Sequence, residues 1–197
     1  MFDLFLKGGP LMWPILLCSI VSITIILERS YCFYRARTKI PNIPSRVRGL
    51  LKDGKTEEAL SFCEETSGPV AHILAIGIHI RHKNTEEKEK LISHAGSKII
   101  RQLDKRLRGL AVIVNAATLL GLLGTVTGMI KAFMKIQELG GRVDASVLAG
   151  GIWEALITTA AGLFVAIPTL VAYHYFEGRV DDINNQMKDA AAELLEA

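Results

Sequence analysis

The sequence predicts an all-α integral membrane protein with three transmembrane helices and long cytoplasmic helical extensions, and three observations support that reading. Half of the 197 residues are hydrophobic and the mean hydropathy is +0.30, although 22% are charged. The charges are unevenly placed, with none over residues 8–27, 109–130 or 155–176. Each of these runs, about 20 residues long, spans a ~30 Å hydrocarbon core at ~1.5 Å per residue. No proline stands between Pro69 and Pro168, and no two-residue alternation of apolar and polar side chains marks a strand. A disordered tail and a collagen-like repeat are excluded by the same composition.

The first span, residues 11–28, follows an external segment, residues 1–10, and is expected to be retained. Its apolar run is too long for a signal peptide and no small-x-small cleavage site follows it. It ends in an aromatic belt merged with a basic stop, from Glu28 and Arg29 through Tyr31, Phe33 and Tyr34 to Arg35 and Arg37. Residues 28–108 hold 17 Lys and Arg against 10 Asp and Glu, a net of +7 in a chain whose total is +3. The flanks at Arg29, Arg35, Arg37 and Lys39, and at Arg101, Lys105, Arg106 and Arg108, therefore place residues 29–108 in the cytoplasm. The second span, 109–136, leads out to a short loop, 137–146; the third, 147–176, returns to a cytoplasmic C-terminal helix, 177–197. The basic excess is explained by insertion direction, with membrane lipid headgroups rather than nucleic acid as its partners. Cys18, Cys32 and Cys63 are an odd, scattered set that suits neither a disulfide framework nor a zinc site.

Within the cytoplasmic loop, Pro41 and Pro44 end whatever leaves the first span. Asp53-Gly54 closes a short helix, and Thr56 is expected to cap the next, residues 57–65. Gly68-Pro69 makes a turn before a helix bearing Val70, Ile73, Leu74, Ile76, Gly77 and Ile80. Asn84, with Glu87 three residues on, starts a single helix expected to run to about Ile136 and through the second span. Past the third span, Val180, Ile183, Met187 and Leu194 recur at helical spacing.

Three patterns suggest other chemistry. Residues 49–56, from Gly49 through Gly54-Lys55 to Thr56, match the phosphate-loop pattern GxxxxGK[ST] and would make a nucleotide-regulated membrane scaffold, a reading of a different class. That loop needs a buried strand before it, and Ile40-Pro41-Asn42-Ile43-Pro44 is not one, so a helix end followed by a helix start is the better reading. His79 and His82 share a helix face without a carboxylate or cysteine partner, which reads as solvated histidines. Ser19 and Ser22 lie on a different span from any histidine, so no Ser-His-Asp site is suggested. The residues call for no enzyme activity, metal or cofactor.

Glu154 is the outlier, the single acidic residue in residues 145–176. A charged group deep in a span costs at least ~2.5 kcal/mol and usually faces a bundle interior or water on an ion path. The alternative is that it snorkels at the outer interface. With a turn apex near Gly140, residues whose numbers sum to about 279 or 280 share a depth, which sets Glu154 level with Thr125. Lys131, free to snorkel to the outer surface, stands ~9 Å further out, so Glu154 falls inside the apolar layer. Gly121, Gly124 and Gly128, with Gly150, Gly151, Ala155 and Gly162, remove bulk where the two helices pack. Thr125, Thr127, Thr158 and Thr159 place hydroxyls near the carboxylate, and Pro168 frees a carbonyl one turn earlier and allows a kink. A carboxyl in such a lining can take a proton from one side and release it to the other, driven by ~2.3 kcal/mol per charge per 100 mV. A purely structural scaffold would instead tolerate a leucine there.

Residues 119–128, Leu-Leu-Gly-Leu-Leu-Gly-Thr-Val-Thr-Gly, followed by Gly150-Gly-Ile-Trp-Glu-Ala-Leu-Ile-Thr-Thr-Ala-Ala-Gly-Leu-Phe-Val-Ala-Ile-Pro168, resemble the ExbB/TolQ/MotA proton-channel family, and its ExbB branch most closely. Gly8-Gly-Pro-Leu-Met-Trp-Pro-Ile-Leu16 with Glu28-Arg29 resembles that family's first span, so the likeness covers essentially the whole chain. It implies a homopentamer in the cell inner membrane, N-terminus periplasmic and C-terminus cytoplasmic. Its pore would enclose single-span helices of an ExbD-like partner carrying an essential aspartate. It implies that Glu154, Thr125 and Thr159 serve the proton path, with Thr158, adjacent and on a face nearer Glu154, as a second candidate hydroxyl. It further implies that the complex drives a TonB-like protein energising outer-membrane transport, with a TolQ-like role in envelope integrity as the near alternative. The long extracytoplasmic extension that some members carry ahead of the first span is not expected here, and the four spans usual in flagellar stators are not matched.

Overall fold

The computed structural model describes residues 8–36, 43–138 and 145–195. Among these residues there are six helices and no strand: α1 (Met12–Ala36), α2 (Ile43–Lys52), α3 (Thr56–Glu65), α4 (Pro69–His79), α5 (Thr85–Glu138) and α6 (Ala145–Leu195). Three of them, α1, α5 and α6, are long and apolar enough to cross a membrane. The chain divides into two compact units, one of Met1–Leu27 with Arg108–His174 and the other of Glu28–Leu107 with Tyr175–Ala197.

The first unit is turned inside out relative to a water-soluble bundle. Leu17, Val112, Leu119, Phe164 and Val171 are 63–81% exposed, whereas Ala117, Ala132, Ala155 and Ala166 fill the interior beside Ile15 and Leu110. Large apolar groups outside and small ones inside are what helices packed in hydrocarbon require, because association there rests on close contact rather than on leaving water. The hydroxyls in these helices satisfy themselves locally. Ser22, Thr24, Thr118, Thr127 and Thr169 each donate to a carbonyl three or four residues earlier, at 2.7–3.0 Å. Helix α6 stays unbroken through Pro168.

The second unit has a conventional core. Val47 of α2, Ala59 and Cys63 of α3, Ile73 and Leu74 of α4, Ile92 of α5 and Met187 and Ala190 of α6 are buried together. Burial pushes the Cys63 thiol up to about 11, with the nearby Glu64 charge adding to it. A side-chain carbon at Gly77 would collide with Leu194, so the bare backbone there seats the end of α6 against α4. Elsewhere in this unit, Phe33 stacks on Phe176 with ring centres 5.5 Å apart.

Local punctuation places the breaks. Helix α2 ends in a Schellman turn: Gly54, at φ +74, donates to Leu51 carbonyl at 3.2 Å and Lys55 donates to Leu50 carbonyl at 2.9 Å. Pro69 opens α4 directly after Gly68. Asn84 Oδ1 accepts the Glu87 backbone N–H at 2.8 Å, one half of a capping box.

Four sequence expectations are corrected. Pro44 lies in the first turn of α2 and so starts a helix, as its fixed φ and missing donor allow; Pro41 lies outside the described residues. Thr56 does not cap α3, which begins at Thr56 itself after Lys55, and its hydroxyl accepts from the Arg81 guanidinium instead. Helix α4 stops at His79, so His82 is not on its face. Arg29 is no exposed flank: its side chain is 7% accessible, donating to Glu28 Oε1 at 3.0 Å and to Leu103 carbonyl at 3.3 Å. Arg106 pairs with the same Glu28 carboxylate.

Candidate functional site at Glu154

Small residues set how close α5 and α6 run, and that closeness builds the site. A side-chain carbon at Gly162 would stand 2.6 Å from Ala117 carbonyl oxygen, and one at Gly121 3.2 Å from Thr159 Cα. At Gly128 it would meet Ala155 Cβ at 2.9 Å and Gly151 carbonyl at 3.1 Å, and at Gly151 it would meet Ala132 Cβ at 2.5 Å. Gly124 leaves room for the side chain of Thr158. At Gly121 and Gly162 the neighbours are backbone, at Gly128 and Gly151 backbone and an alanine methyl, and at Gly124 the Thr158 side chain, so a side chain at these positions would push the helices apart. Gly150 is the exception among the expected packing residues, since nothing lies within 4 Å of the position its side chain would take.

The seam fixes the height of Glu154. Gly128 faces Gly151 and Ala155 while Gly124 faces Thr158, so Glu154 lies at the level of the α5 turn between them, within a helical turn of the depth expected from the hairpin count. Lys131 does not turn away to the outer surface. Its Nζ donates to Glu154 Oε1 at 2.6 Å, with the side chains 52% and 28% accessible respectively. A third element closes on the same oxygen: a side-chain carbon at Gly9, whose φ is +71, would collide with Glu154 Oε1.

Thr158, 1% exposed, ties that element down. Its hydroxyl donates to Gly8 carbonyl at 2.7 Å, with the Glu154 carbonyl also within reach at 2.9 Å. Thr159 donates across the hairpin to Gly121 carbonyl at 2.7 Å. Thr125 donates to Leu122 carbonyl of its own helix at 2.6 Å, and Thr127 to Leu123 and Gly124 carbonyls. None of these four hydroxyls donates to the carboxylate; each leaves oxygen lone pairs with which to accept. Pro168 lies fourteen residues along α6, ~21 Å from Glu154, and belongs to the helix rather than to the niche.

The structure thus gathers Glu154 and Thr158 and sets Thr159 on the neighbouring seam. It adds Lys131 and the Gly8–Gly9 turn, which the sequence reading missed. Lys131 was legible in principle, since it stands less than two turns of α5, ~9 Å, from the level assigned to Glu154, within reach of a long side chain. The turn was not, because residues 8 and 158 meet across 150 positions of chain. Among the described residues no group of three His, Cys, Asp or Glu is placed to hold a metal ion. At residues 49–56 the amides that a phosphate loop would offer are spent: Asp53, Gly54 and Lys55 donate to the carbonyls of Gly49, Leu51 and Leu50.

A family model described as the MotA/TolQ/ExbB proton channel family matches residues 65–189. Among curated proteins, an ExbB-like biopolymer transport protein of Synechocystis sp. is 36% identical over 181 residues, covering 88% of this chain and 69% of that one. An ExbB homolog of Methanothermobacter thermautotrophicus is 31% identical, covering 91% of this chain; the chain spans 64% of that relative's length. The Tol-Pal system protein TolQ of Haemophilus influenzae is 31% identical, covering 92% of this chain and 86% of that one.

Proposed function

The chain belongs to the MotA/TolQ/ExbB proton channel family, and from that premise we propose that it is the proton-channel and motor subunit of an ExbB–ExbD-like inner-membrane complex. The observation that carries the reading is Glu154, the single acidic residue of residues 145–176, paired with Lys131 and met by the Gly8–Gly9 turn that Thr158 holds in place. Glu154 takes a proton from the outer side and gives it up inward, and each charge moved gains ~2.3 kcal/mol per 100 mV. Thr125 and Thr159, both part-exposed, line the route, accepting hydrogen bonds from water or from the carboxyl through the lone pairs their present bonds leave open, while Thr158, 1% exposed, serves it by holding the Gly8 turn beside Glu154. Gly121, Gly124, Gly128, Gly151 and Gly162 hold α5 and α6 together so that this lining keeps its spacing, and Pro168 shapes α6 below it.

Five copies surround single-span helices of an ExbD-like partner bearing a transmembrane aspartate, and the outward apolar side chains of the first unit supply the surface for that assembly. Residues 29–108 and 177–197 lie in the cytoplasm, as the +7 balance of the loop supports. The work delivered is the energising of TonB-dependent transport across an outer membrane. A TolQ-like role in envelope integrity is the second reading, favoured by the TolQ relative.

Proton flux into liposomes containing the purified complex tests the proposal. Glu154→Gln is expected to abolish potential-driven flux while leaving the assembly intact, and unchanged flux would overturn the proton path. Complementation then separates the branches: rescue of iron–siderophore uptake supports the ExbB-like role, and rescue of detergent resistance the TolQ-like one.

A further inference from the structure

We infer that Lys131 is the resident counter-ion of Glu154 and gates its protonation, so that a proton reaches the carboxylate only when the ammonium swings away. The inference rests on the proton-path reading and adds to it a residue that acts through Glu154. Lys131 Nζ occupies Oε1 at 2.6 Å. The backbone of Gly9 closes on that same oxygen, with the turn pinned by the Thr158–Gly8 hydrogen bond and by Met12 N–H donating to Gly9 carbonyl at 3.2 Å. One acceptor atom is thereby enclosed by an ammonium, a main-chain turn and its own helix.

Among the described residues, the charges around the niche single out Lys131. Uncharged residues fill the described part of α1 as far as Leu27, and α6 carries no other ionisable group between Ala145 and Tyr173. On α5 the next charge, Lys135, is engaged by Glu138 at 3.1 Å. Lys131 and Glu154 therefore neutralise each other in a layer where either charge alone is costly. A proton on Glu154 would leave Lys131 as an uncompensated cation against a carboxyl that no longer attracts it, so loading and departure of the ammonium are coupled. The side chain can make that movement. It is half-exposed on a flexible four-carbon stem at a point from which an ammonium can reach the outer interface. Only O–H bonds are exchanged: one O–H bond of a hydronium ion breaks, leaving water, as one forms on a carboxylate oxygen of Glu154, and Lys131 keeps its three N–H protons throughout.

Infrared difference spectroscopy of the complex, with ¹³C-labelled glutamate and the Glu154→Gln protein as the subtraction, reads the protonation of this one side chain. At neutral pH the wild-type protein and Lys131→Arg are expected to show the ionised carboxylate band. Lys131→Met is expected to lose that band and gain the protonated carboxyl band, a change that a merely structural lysine would not produce. Lys131→Gln, which keeps length and polarity without charge, gives the same reading where the methionine variant does not assemble. A carboxylate band unchanged in the neutral variants would overturn the counter-ion role. Because this signal does not require conduction, it is independent of the flux test: an intact flux in Glu154→Gln would sink the proton path while leaving the ion pair standing.

Discussion

Replacing Gly162 with alanine puts a methyl group where the structure has no room for one. The added carbon would lie 2.6 Å from Ala117 carbonyl oxygen and 3.0 Å from Gly121 Cα, against an optimal carbon separation of about 3.5–4.0 Å. Both neighbours are backbone, so the strain is relieved only by moving α5 and α6 apart by up to about 1 Å. A gap of that size forfeits a quarter to a half of each contact it opens, and overpacking of this kind costs about 1–3 kcal/mol. Alanine also gains about 1 kcal/mol over glycine in helix propensity, which would blur a single measurement. Gly150→Ala supplies the control, since the same gain is made with nothing within 4 Å of the new carbon. The difference between the two variants isolates the packing cost, and Gly162→Ala should be the less stable by about 1–3 kcal/mol. Reversible unfolding of the purified chain in mixed micelles measures it. Equal stabilities would refute the claim that backbone contact holds this hairpin together.

Leu74→Ala should destabilise the second unit by about 2–5 kcal/mol, because the side chain is 1% exposed and its loss leaves a cavity; a lowered thermal midpoint of the full chain checks it. Asn84→Ala should cost about 1 kcal/mol by orphaning the Glu87 N–H, and should show as faster amide exchange at the start of α5. Cys63 should resist alkylation in the folded protein at pH 8 and react once denatured, as mass spectrometry will show, since it is 2% exposed and its thiol is pushed up to about 11. The folded state holds that proton more tightly than the unfolded chain, whose ordinary value is 9.0. The associated stability is therefore complete below pH 9 and is lost as pH rises through about 11.

The helices and most of their ends were legible because their signals are local. Gly54, the Gly68-Pro69 pair and Asn84 each act through backbone bonds within five residues, so the punctuation could be read without tertiary structure. Thr56 misled because the Schellman turn sets the boundary at Lys55, one residue earlier than a capping hydroxyl would need. The register of Glu154 against α5 was readable to within a helical turn from the hairpin count, and the family resemblance agreed with the MotA/TolQ/ExbB match. What escaped was every contact between elements far apart in sequence. Lys131 looked like a residue bound for the outer surface until α6 placed a carboxylate beside it, and Arg29 looked like a lipid-facing flank until Glu28 and Leu103 enclosed it. Charge counting assigns such residues to an interface, whereas three-dimensional pairing decides whether they reach it.

The glycine seam also settles where permeation cannot occur. Where Gly128 meets Gly151 and Gly121 meets Gly162, main chain touches main chain, and the gap is narrower than a water molecule. A hydrated wire to Glu154 is thus barred from the interior of the hairpin. On the proton-path proposal it runs along an outer flank of α5 or α6, where the proposed assembly would supply the opposite wall of the conduit.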